Sequence, residues 1–251
     1  MKRRFGLIGY PLSHSFSKEY FDHKFRNEKI TDSEYENYEL KEIREFRHWL
    51  EIHTEILGLN VTIPYKESVM TYLDQLDPGA KRIGAVNVIK KMPDGHLKGY
   101  NSDYYGFRTS LERWLGKNFV NTGVLVLGGG GAAKAVIAVL EDCNLEFLKV
   151  SRTEGKDRIT YYDIRRDPGL LKKYKLIINT TPLGMYPKTN EMPNLPYESL
   201  DDSNFLYDLI YNPDKTLFLK NGESKGAGIK NGKEMLILQA DRSWQIWNTK
   251  D

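Results

Sequence analysis

Among the side chains able to move a proton, Lys66 has the most informative setting. It closes the stretch Gly58-Leu59-Asn60-Val61-Thr62-Ile63-Pro64-Tyr65-Lys66. Leu59, Val61 and Ile63 alternate with polar residues as in a half-buried strand, and Pro64, lacking an N–H, ends the ladder. Val69, Leu73 and Leu76 then recur at helical spacing, which predicts a helix beginning at Pro64 with Lys66 near its N-terminus. The unpaired amides of a first turn carry partial positive charge. That disfavours an ammonium and suits a lysine that gives and takes a proton near neutral pH. The same spacing also fits a solvated lysine on an amphipathic helix.

Asp103 is a carboxylate that could work beside it. It stands just before a helix with the apolar face Phe107, Leu111, Trp114 and Leu115, where an aspartate either caps the helix or joins in proton transfer. Strands over 85–89 and 97–100 are joined by the turn Lys91-Met92-Pro93-Asp94-Gly95, which brings Asn87 and Asn101-Ser102-Asp103 to strand ends. Ser13-His14-Ser15-Phe16-Ser17 is a polar turn ahead of a helix carrying Phe21 and Phe25. Ser15 or Ser17 can cap that helix, and the same hydroxyls with the free amides of a helix start can hold a carboxylate. His14 reads as a proton carrier or as a turn histidine. Tyr211 is a core aromatic with a wet tip or a ligand contact, and Gln239 is a solvated residue or a deliberate hydrogen-bonder.

A second chemistry begins at Val124-Leu125-Val126-Leu127, which runs into Gly128-Gly129-Gly130-Gly131-Ala132-Ala133-Lys134 and the helical apolars Val136, Val139 and Leu140. This is strand, G-x-G-x-x-A, helix. Gly128 permits the tight turn, Gly130 lets a pyrophosphate approach the backbone, and Ala133 allows close packing of helix on strand; the alternative is a flexible loop. A strand over 147–150 ends in Ser151-Arg152-Thr153. NAD sites usually place a carboxylate there, whereas Arg152 and the Thr153 hydroxyl suit the 2′-phosphate of NADP. Glu154 and Lys156 nearby leave the choice open, and Arg152 also fits a plain surface charge. A strand over 176–178 leads into the polar loop Asn179-Thr180-Thr181-Pro182-Leu183-Gly184-Met185 at the ligand-facing edge.

The elements that must position these groups alternate strand and helix from Phe5 onward, the pattern of a parallel or mixed sheet covered by helices. A strand over 5–8, a weak one marked by Tyr38 and Leu40, a helix with Ile43, Phe46 and Leu50, a buried strand over 205–211, and a last helix with Met235, Leu238, Trp244 and Trp247 complete the outline. The helix after Asp103 reads as a connector, because the pattern then restarts. With 251 residues, two domains of ordinary size are expected.

Hydrophobic residues at 40% and charged residues at 28% exclude wholesale disorder and fibrous repeats. A net charge of +3, from 37 basic and 34 acidic residues, argues against a protein built to grip nucleic acid and leaves a small anionic ligand compatible. The single cysteine, Cys143, has no disulfide or metal-ligand companion in the chain and reads as core in a reduced, cytoplasmic setting. No metal site is expected. The basic start is followed by an apolar run cut by Gly6, Gly9 and Pro11, so no secretory signal is expected, and the longest apolar run, 135–140, is too short to span a membrane.

Taken together, the motifs resemble the shikimate dehydrogenase family. They are Gly-Tyr-Pro-Leu-Ser-His-Ser-Phe-Ser at 9–17, Asn-Val-Thr-Ile-Pro-Tyr-Lys at 60–66, Gly-Ala-Val-Asn at 84–87 and Asn-Ser-Asp at 101–103. The glycine loop, Ser-Arg-Thr at 151–153, Asn-Thr-Thr-Pro-Leu-Gly-Met at 179–185, Tyr-Asp-Leu-Ile-Tyr-Asn-Pro at 207–213 and Met-Leu-Ile-Leu-Gln-Ala at 235–240 follow. The resemblance implies an α/β fold with a mostly parallel sheet in an N-terminal substrate domain, 1–103 plus 232–251, to which the last helix returns. It implies a Rossmann-type NADP-binding domain over 104–231. It also implies that Ser15, Ser17 and Tyr211 hold the substrate carboxylate, that Thr62, Asn87 and Gln239 join Lys66 and Asp103 around the ring hydroxyls, and that Lys66 and Asp103 form the catalytic pair. Gly128, Gly129, Gly130, Gly131, Ala132, Ser151, Arg152, Thr153, Thr180 and Gly232 are the implied cofactor contacts.

The implied reaction is the reversible NADPH-dependent reduction of 3-dehydroshikimate to shikimate, on the chorismate route to aromatic amino acids, by a monomer or homodimer. Lys18, Tyr104, Ser151 and Lys233-Glu234 depart from the usual pattern, where a proline, a glycine, an asparagine and a more apolar pair are common. The alternatives are a quinate or dual-specificity enzyme using NAD, and a nucleotide sensor without turnover.

Overall fold

A computed structural model describes residues 2–12, 15–116 and 122–249. His14 therefore lies outside the described residues, and so does its reading as a proton carrier. Two compact units are present: Met1–Tyr105 with Gln239–Asp251, and Gly106–Leu238.

The first unit contains β1 (Arg3–Gly9), β2 (Ser33–Glu39), β3 (Ile56–Val61), β4 (Gln75–Leu76), β5 (Val88–Lys91) and β6 (Leu97–Tyr100), with α1 (Ser17–Asn27), α2 (Phe46–Ile52) and α3 (Pro78–Ile83). Its sheet runs β2-β1-β3-β5-β6-β4. β1 pairs in parallel with β2 and β3, while β5 is antiparallel to β3 and β6. The alternation along β3 divides two cores. Leu59 and Val61 join Phe46, Tyr65 and Val69 in one apolar cluster. The opposite face presents Gly58, where a Cβ would lie 2.4 Å from the Trp247 ring, so only a glycine admits that indole. Trp247 stacks on Phe5 with centroids 4.8 Å apart, and Phe21 stacks on Tyr35 at 4.3 Å. Burying each of these rings contributes roughly 2–3 kcal/mol, so Phe21→Ala is the kind of change that would open this core.

The helix expected at Pro64 does not form. A turn carries residues 62–67, then a 3-10 helix spans Ser68–Tyr72, and Gln75–Leu76 pairs with β6 as β4. Asp74 explains the break. Its backbone N–H donates to Leu97 O at 3.0 Å and its carboxylate accepts the Leu97 N–H at 2.8 Å, tying the chain to β6. Val69, Leu73 and Leu76 still face the core, but from three different pieces of backbone. The strand expected over 85–89 starts at Val88, because Gly84 ends α3 in the left-handed region at φ +70° and residues 85–87 form a loop.

α4 (Asp103–Leu115) begins in the first unit and continues into the second. There β7 (Val124–Leu127), β8 (Phe147–Ser151), β9 (Arg158–Thr160), β10 (Leu176–Asn179), β11 (Phe205–Asp208) and β12 (Gly228–Lys230) form one parallel sheet, ordered β12-β11-β10-β7-β8-β9. Counted within the unit this is 3-2-1-4-5-6, the doubly wound Rossmann order. Helices α5 (Gly131–Asp142), α6 (Tyr161–Arg166), α7 (Leu170–Lys173) and α8 (Leu217–Glu223) accompany it. Val124–Leu127 and Leu176–Asn179 are buried along their whole length, as expected of strands covered on both faces. The strand expected to reach Tyr211 ends at Asp208, whose carboxylate turns back onto the Ile210 N–H at 3.0 Å and stops the ladder. Cys143, expected in the core, is the C-terminal cap of α5 and only partly buried. The last helix, α9 (Lys233–Asn248), belongs to the first unit from Gln239 onward. Among the described residues no helix is long and apolar enough to cross a membrane.

Candidate active site

The first unit gathers its polar groups where β3, β5 and β6 end. The turn bearing Lys66 is fixed by backbone: Thr62 N–H donates to Ile8 O at 2.9 Å, Tyr65 N–H to Thr62 O at 2.9 Å, and Lys66 O accepts Val86 N–H at 2.7 Å. The Tyr65 ring is buried and its hydroxyl donates to Leu40 O at 2.6 Å, so the residue before the lysine is anchored. No α-helix N-terminus lies at Lys66, and the helix-charge argument for this lysine loses its basis. Its partner is a carboxylate instead: Lys66 Nζ donates to Asp103 Oδ2 at 2.5 Å.

Asp103 is the first residue of α4, and of its two readings, cap or proton-transfer group, the cap is filled by another residue. Asn101 takes that task, its Oδ1 accepting the Tyr104 N–H at 3.1 Å while its Nδ2 donates to Ala85 O at 2.9 Å. The Asp103 carboxylate is thereby left for side-chain partners. Oδ2 faces Lys66, and Oδ1 accepts from Asn87 Nδ2 at 2.9 Å. Asp103 is 4% exposed, so this ion pair is sheltered on its acidic side while the lysine keeps a route to solvent, its side chain 17% exposed. An ammonium has three donors, and a single carboxylate oxygen uses one of them here.

Asn87 is also drawn to Gln239, whose Oε1 lies 3.3 Å from Asn87 Nδ2. Gln239 is thus a hydrogen-bonder of the first unit. Thr62 follows β3 directly, and its methyl fills the space above Gly9. At α1 the N-terminal cap residue is Phe16, which makes no side-chain cap. Ser15 instead accepts the Ser17 N–H on Oγ at 3.3 Å, so it does part of the capping expected of it and keeps its own O–H to donate. Ser17 hydrogen-bonds the Tyr35 hydroxyl, whose pKa is pushed well above its ordinary value by burial, with Ser17 opposing.

The second unit builds with backbone. Gly128 sits at φ +109°, where a Cβ would lie 2.7 Å from Thr180 Oγ1, so both conformation and space demand a glycine. Around Gly129 and Gly130, by contrast, a Cβ would meet nothing within 4 Å. Nothing in the chain itself requires glycine at those two places, so their bareness suits a group from outside that must come close to the main chain. Gly130 caps α5 without a side-chain bond, which leaves helix-start amides suited to an anion. At the end of β8, Ser151 and Thr153 bond to each other around an exposed Arg152. These residues fit a dinucleotide with a phosphate beyond its ribose.

Thr180 is held beside the loop by two bonds to Leu127 O, from Oγ1 at 2.6 Å and N–H at 3.0 Å. Gly232 has a structural reason of its own, since a Cβ there would lie 2.0 Å from Leu209 O. Tyr211 is partly buried in the second unit. Sequence reasoning passed over Asp208, which is fully buried and accepts from Thr216 Oγ1 at 2.6 Å, Asn179 Nδ2 at 3.0 Å and Ile210 N–H. Burial pushes its pKa up to about 6 against those three donors. Sequence reasoning also passes over Ser243, and it names Asn60 and Ser102 within their motifs without giving either a role of its own. The available signal was a polar residue inside an apolar strand, as in Leu59-Asn60-Val61 and Leu206-Tyr207-Asp208.

Two α/β units, one with the Rossmann strand order and a glycine loop and the other with a sheltered lysine–aspartate pair, define a dinucleotide-binding class of fold. Residues 7–89 match the family model of the shikimate dehydrogenase substrate binding domain. A shikimate dehydrogenase (NADP(+)) of Clostridium beijerinckii is 40% identical, the match covering 97% of this chain and 91% of that one. The crystal structure of shikimate dehydrogenase 1 from Peptoclostridium difficile superposes with a TM-score of 0.86 at 36% identity, over 100% of this chain and 93% of that one. That of a Thermus thermophilus shikimate 5-dehydrogenase in complex with NADP(H) and shikimate has a TM-score of 0.79 at 29% identity, over 99% and 94%. The chain belongs to the shikimate dehydrogenase family.

Proposed function

We propose that this protein is an NADP-dependent shikimate dehydrogenase, interconverting 3-dehydroshikimate and shikimate. The observation that carries the reading is the bond from Lys66 Nζ to Asp103 Oδ2 at 2.5 Å, with Asn87 on the other carboxylate oxygen. Bound NADPH supplies the hydride. As the carbonyl of 3-dehydroshikimate becomes a hydroxyl, Lys66 gives its oxygen a proton; in the reverse direction Lys66 takes that proton back. Asp103 holds the lysine in place and accepts from a ring hydroxyl, while Asn87, Gln239 and Thr62 orient the remaining hydroxyls. The Ser15 and Ser17 hydroxyls, with Tyr211, hold the substrate carboxylate.

In this reading, residues 1–103 with 232–251 form the substrate domain and 104–231 the cofactor domain. Gly128, Gly129, Gly130, Gly131 and Ala132 at the start of α5 would hold the pyrophosphate, and Ser151, Arg152 and Thr153 would hold the 2′-phosphate. Thr180 and Gly232 complete the cofactor contacts. A cytoplasmic setting agrees with the lone Cys143.

The test is an initial-rate assay of the purified protein on shikimate and quinate, each with NADP and with NAD. The expected result is fastest oxidation of shikimate with NADP. Faster oxidation of quinate with NAD, or nucleotide binding without turnover of either acid, would overturn the reading.

A further inference from the structure

The face of β3 that carries Gly58 meets α9 in matched steps. Gly58 lies against Trp247 and, two residues on, Asn60 Nδ2 donates to Ser243 Oγ at 2.9 Å, four residues back along the helix. Two strand residues rise about 6.6 Å and four helical residues about 6 Å, so the steps keep register. One step further along each element stand Thr62 and Gln239.

From Ser243 a chain of bonds leads to the pair. Ser243 Oγ donates to Gln239 O at 2.8 Å, so its lone pairs face Asn60 and Ser102, whose Oγ lies 3.1 Å away. Ser102 then donates to Ser243, the nearest of its acceptors, with Asn87 Oδ1 and Gln239 Oε1 each at 3.3 Å, and accepts from Asn87 Nδ2 at 3.0 Å. The backbone N–H of Ser102 donates to Asn87 Oδ1 at 2.7 Å. A backbone N–H can only donate, so the Asn87 amide has one orientation, with its NH2 toward Asp103. Asn60 is set the same way, its Oδ1 accepting from Tyr35 Oη at 2.9 Å and its Nδ2 also donating to Asn87 O at 3.2 Å. Ser102 and Ser243 are both fully buried, where an unmade bond is costly and a satisfied network holds a single arrangement.

We propose that Ser243 and Ser102 are positioning residues of the active site: the Ser102 N–H sets which way the Asn87 amide faces, and the two serine hydroxyls hold that amide in place with its NH2 on Asp103, which keeps both Asp103 oxygens as acceptors. The proposal rests on the reading of Lys66 and Asp103 as the catalytic pair. Ser243 also ties the helix turn bearing Gln239 to the strand that leads into Thr62.

The test is steady-state oxidation of shikimate by Ser102→Ala and Ser243→Ala, each alone and combined with Asp103→Asn, with melting temperatures for every variant. Each serine change alone is expected to lower kcat about tenfold with KM held within about threefold, and to cost nothing further once Asp103 is already changed. Ser243→Thr, which keeps the hydroxyl, is expected to restore kcat to within about twofold of the parent. Unchanged kcat in both alanine variants, or the same loss repeated in the Asp103→Asn background, would overturn the proposal, since a merely structural serine acts independently of Asp103. Ser102→Ala carries the test alone should changes at Ser243 prevent folding. Full turnover by Asp103→Asn itself would strike the catalytic pair rather than the serines.

Discussion

Among the described residues each unit buries one aspartate where a sheet strand ends, and the two have opposite company. Asp103, after β6, has an ammonium at 2.5 Å and an amide on its other oxygen. Asp208, closing β11, has three donors, all of them neutral: a hydroxyl, an amide and a backbone N–H. With no cation against it, burial pushes Asp208 up to about 6. In the proposed reading the first arrangement places a proton donor beside the substrate. The second stitches loops together, because Asn179 passes the connection to Thr181 through bonds of 2.6 and 3.1 Å, and Thr216 passes it to the start of α8. Residue type and burial are alike in the two places, and the partner decides the task.

Breaking the first arrangement has the largest expected effect on folding. Lys66→Met strands a sheltered carboxylate, and the loss is expected to be about 3–5 kcal/mol at neutral pH, measured by urea unfolding. Loss well under 1 kcal/mol would mean that Asp103 does not depend on its cation.

The second arrangement predicts a pH dependence. The Asp208 carboxyl rises from 3.8 to about 6 on folding, so between those values the folded protein holds a proton that the unfolded chain has released. The stability this group confers is full at low pH and is lost as pH rises through 6, by about 3 kcal/mol in all. Asp208→Asn cannot titrate and is expected to remove that fall from a plot of unfolding free energy against pH. An unaltered slope would show that Asp208 is not the group responsible.

The smallest effect is expected where the site is made of backbone and surface charge. If Arg152 meets the 2′-phosphate as proposed, Arg152→Ala is expected to narrow the preference for NADP over NAD by roughly ten- to a hundredfold in kcat/KM, leaving shikimate KM unchanged. An unchanged preference would leave Arg152 as surface charge only.

Residue patterns foretell the local frame of the second unit's glycine loop better than that of the first unit's Lys66 turn. The boundaries of β7 and the glycine loop follow from a continuous apolar run and four glycines, because a site built of backbone announces itself by what its residues lack. Gly129 and Gly130 have open space, so their type reports on something outside the fold. The first unit's site depends on long-range side-chain bonds, and short-range spacing misjudged its local frame. Val69, Leu73 and Leu76 keep helical spacing yet reach one core from a 3-10 helix, an extended link and a two-residue strand. An aspartate just ahead of a helix suits a cap as well as proton transfer, and only the long-range bonds show Asn101 filling the cap's place. β9, α6, α7 and α8 went unforeseen because they are short, and α6 and α8 rest on single capping threonines, Thr160 and Thr216, more than on any periodic face.

Steady-state shikimate oxidation by Lys66→Met shows whether Lys66 moves the proton while Asp103 holds the lysine in place. The expected result is kcat lowered about a thousandfold with shikimate KM within a few-fold of the parent, because the proton is needed chiefly in the transition state. A variant that turns over at near the parent rate, or one that loses affinity alone, would contradict it.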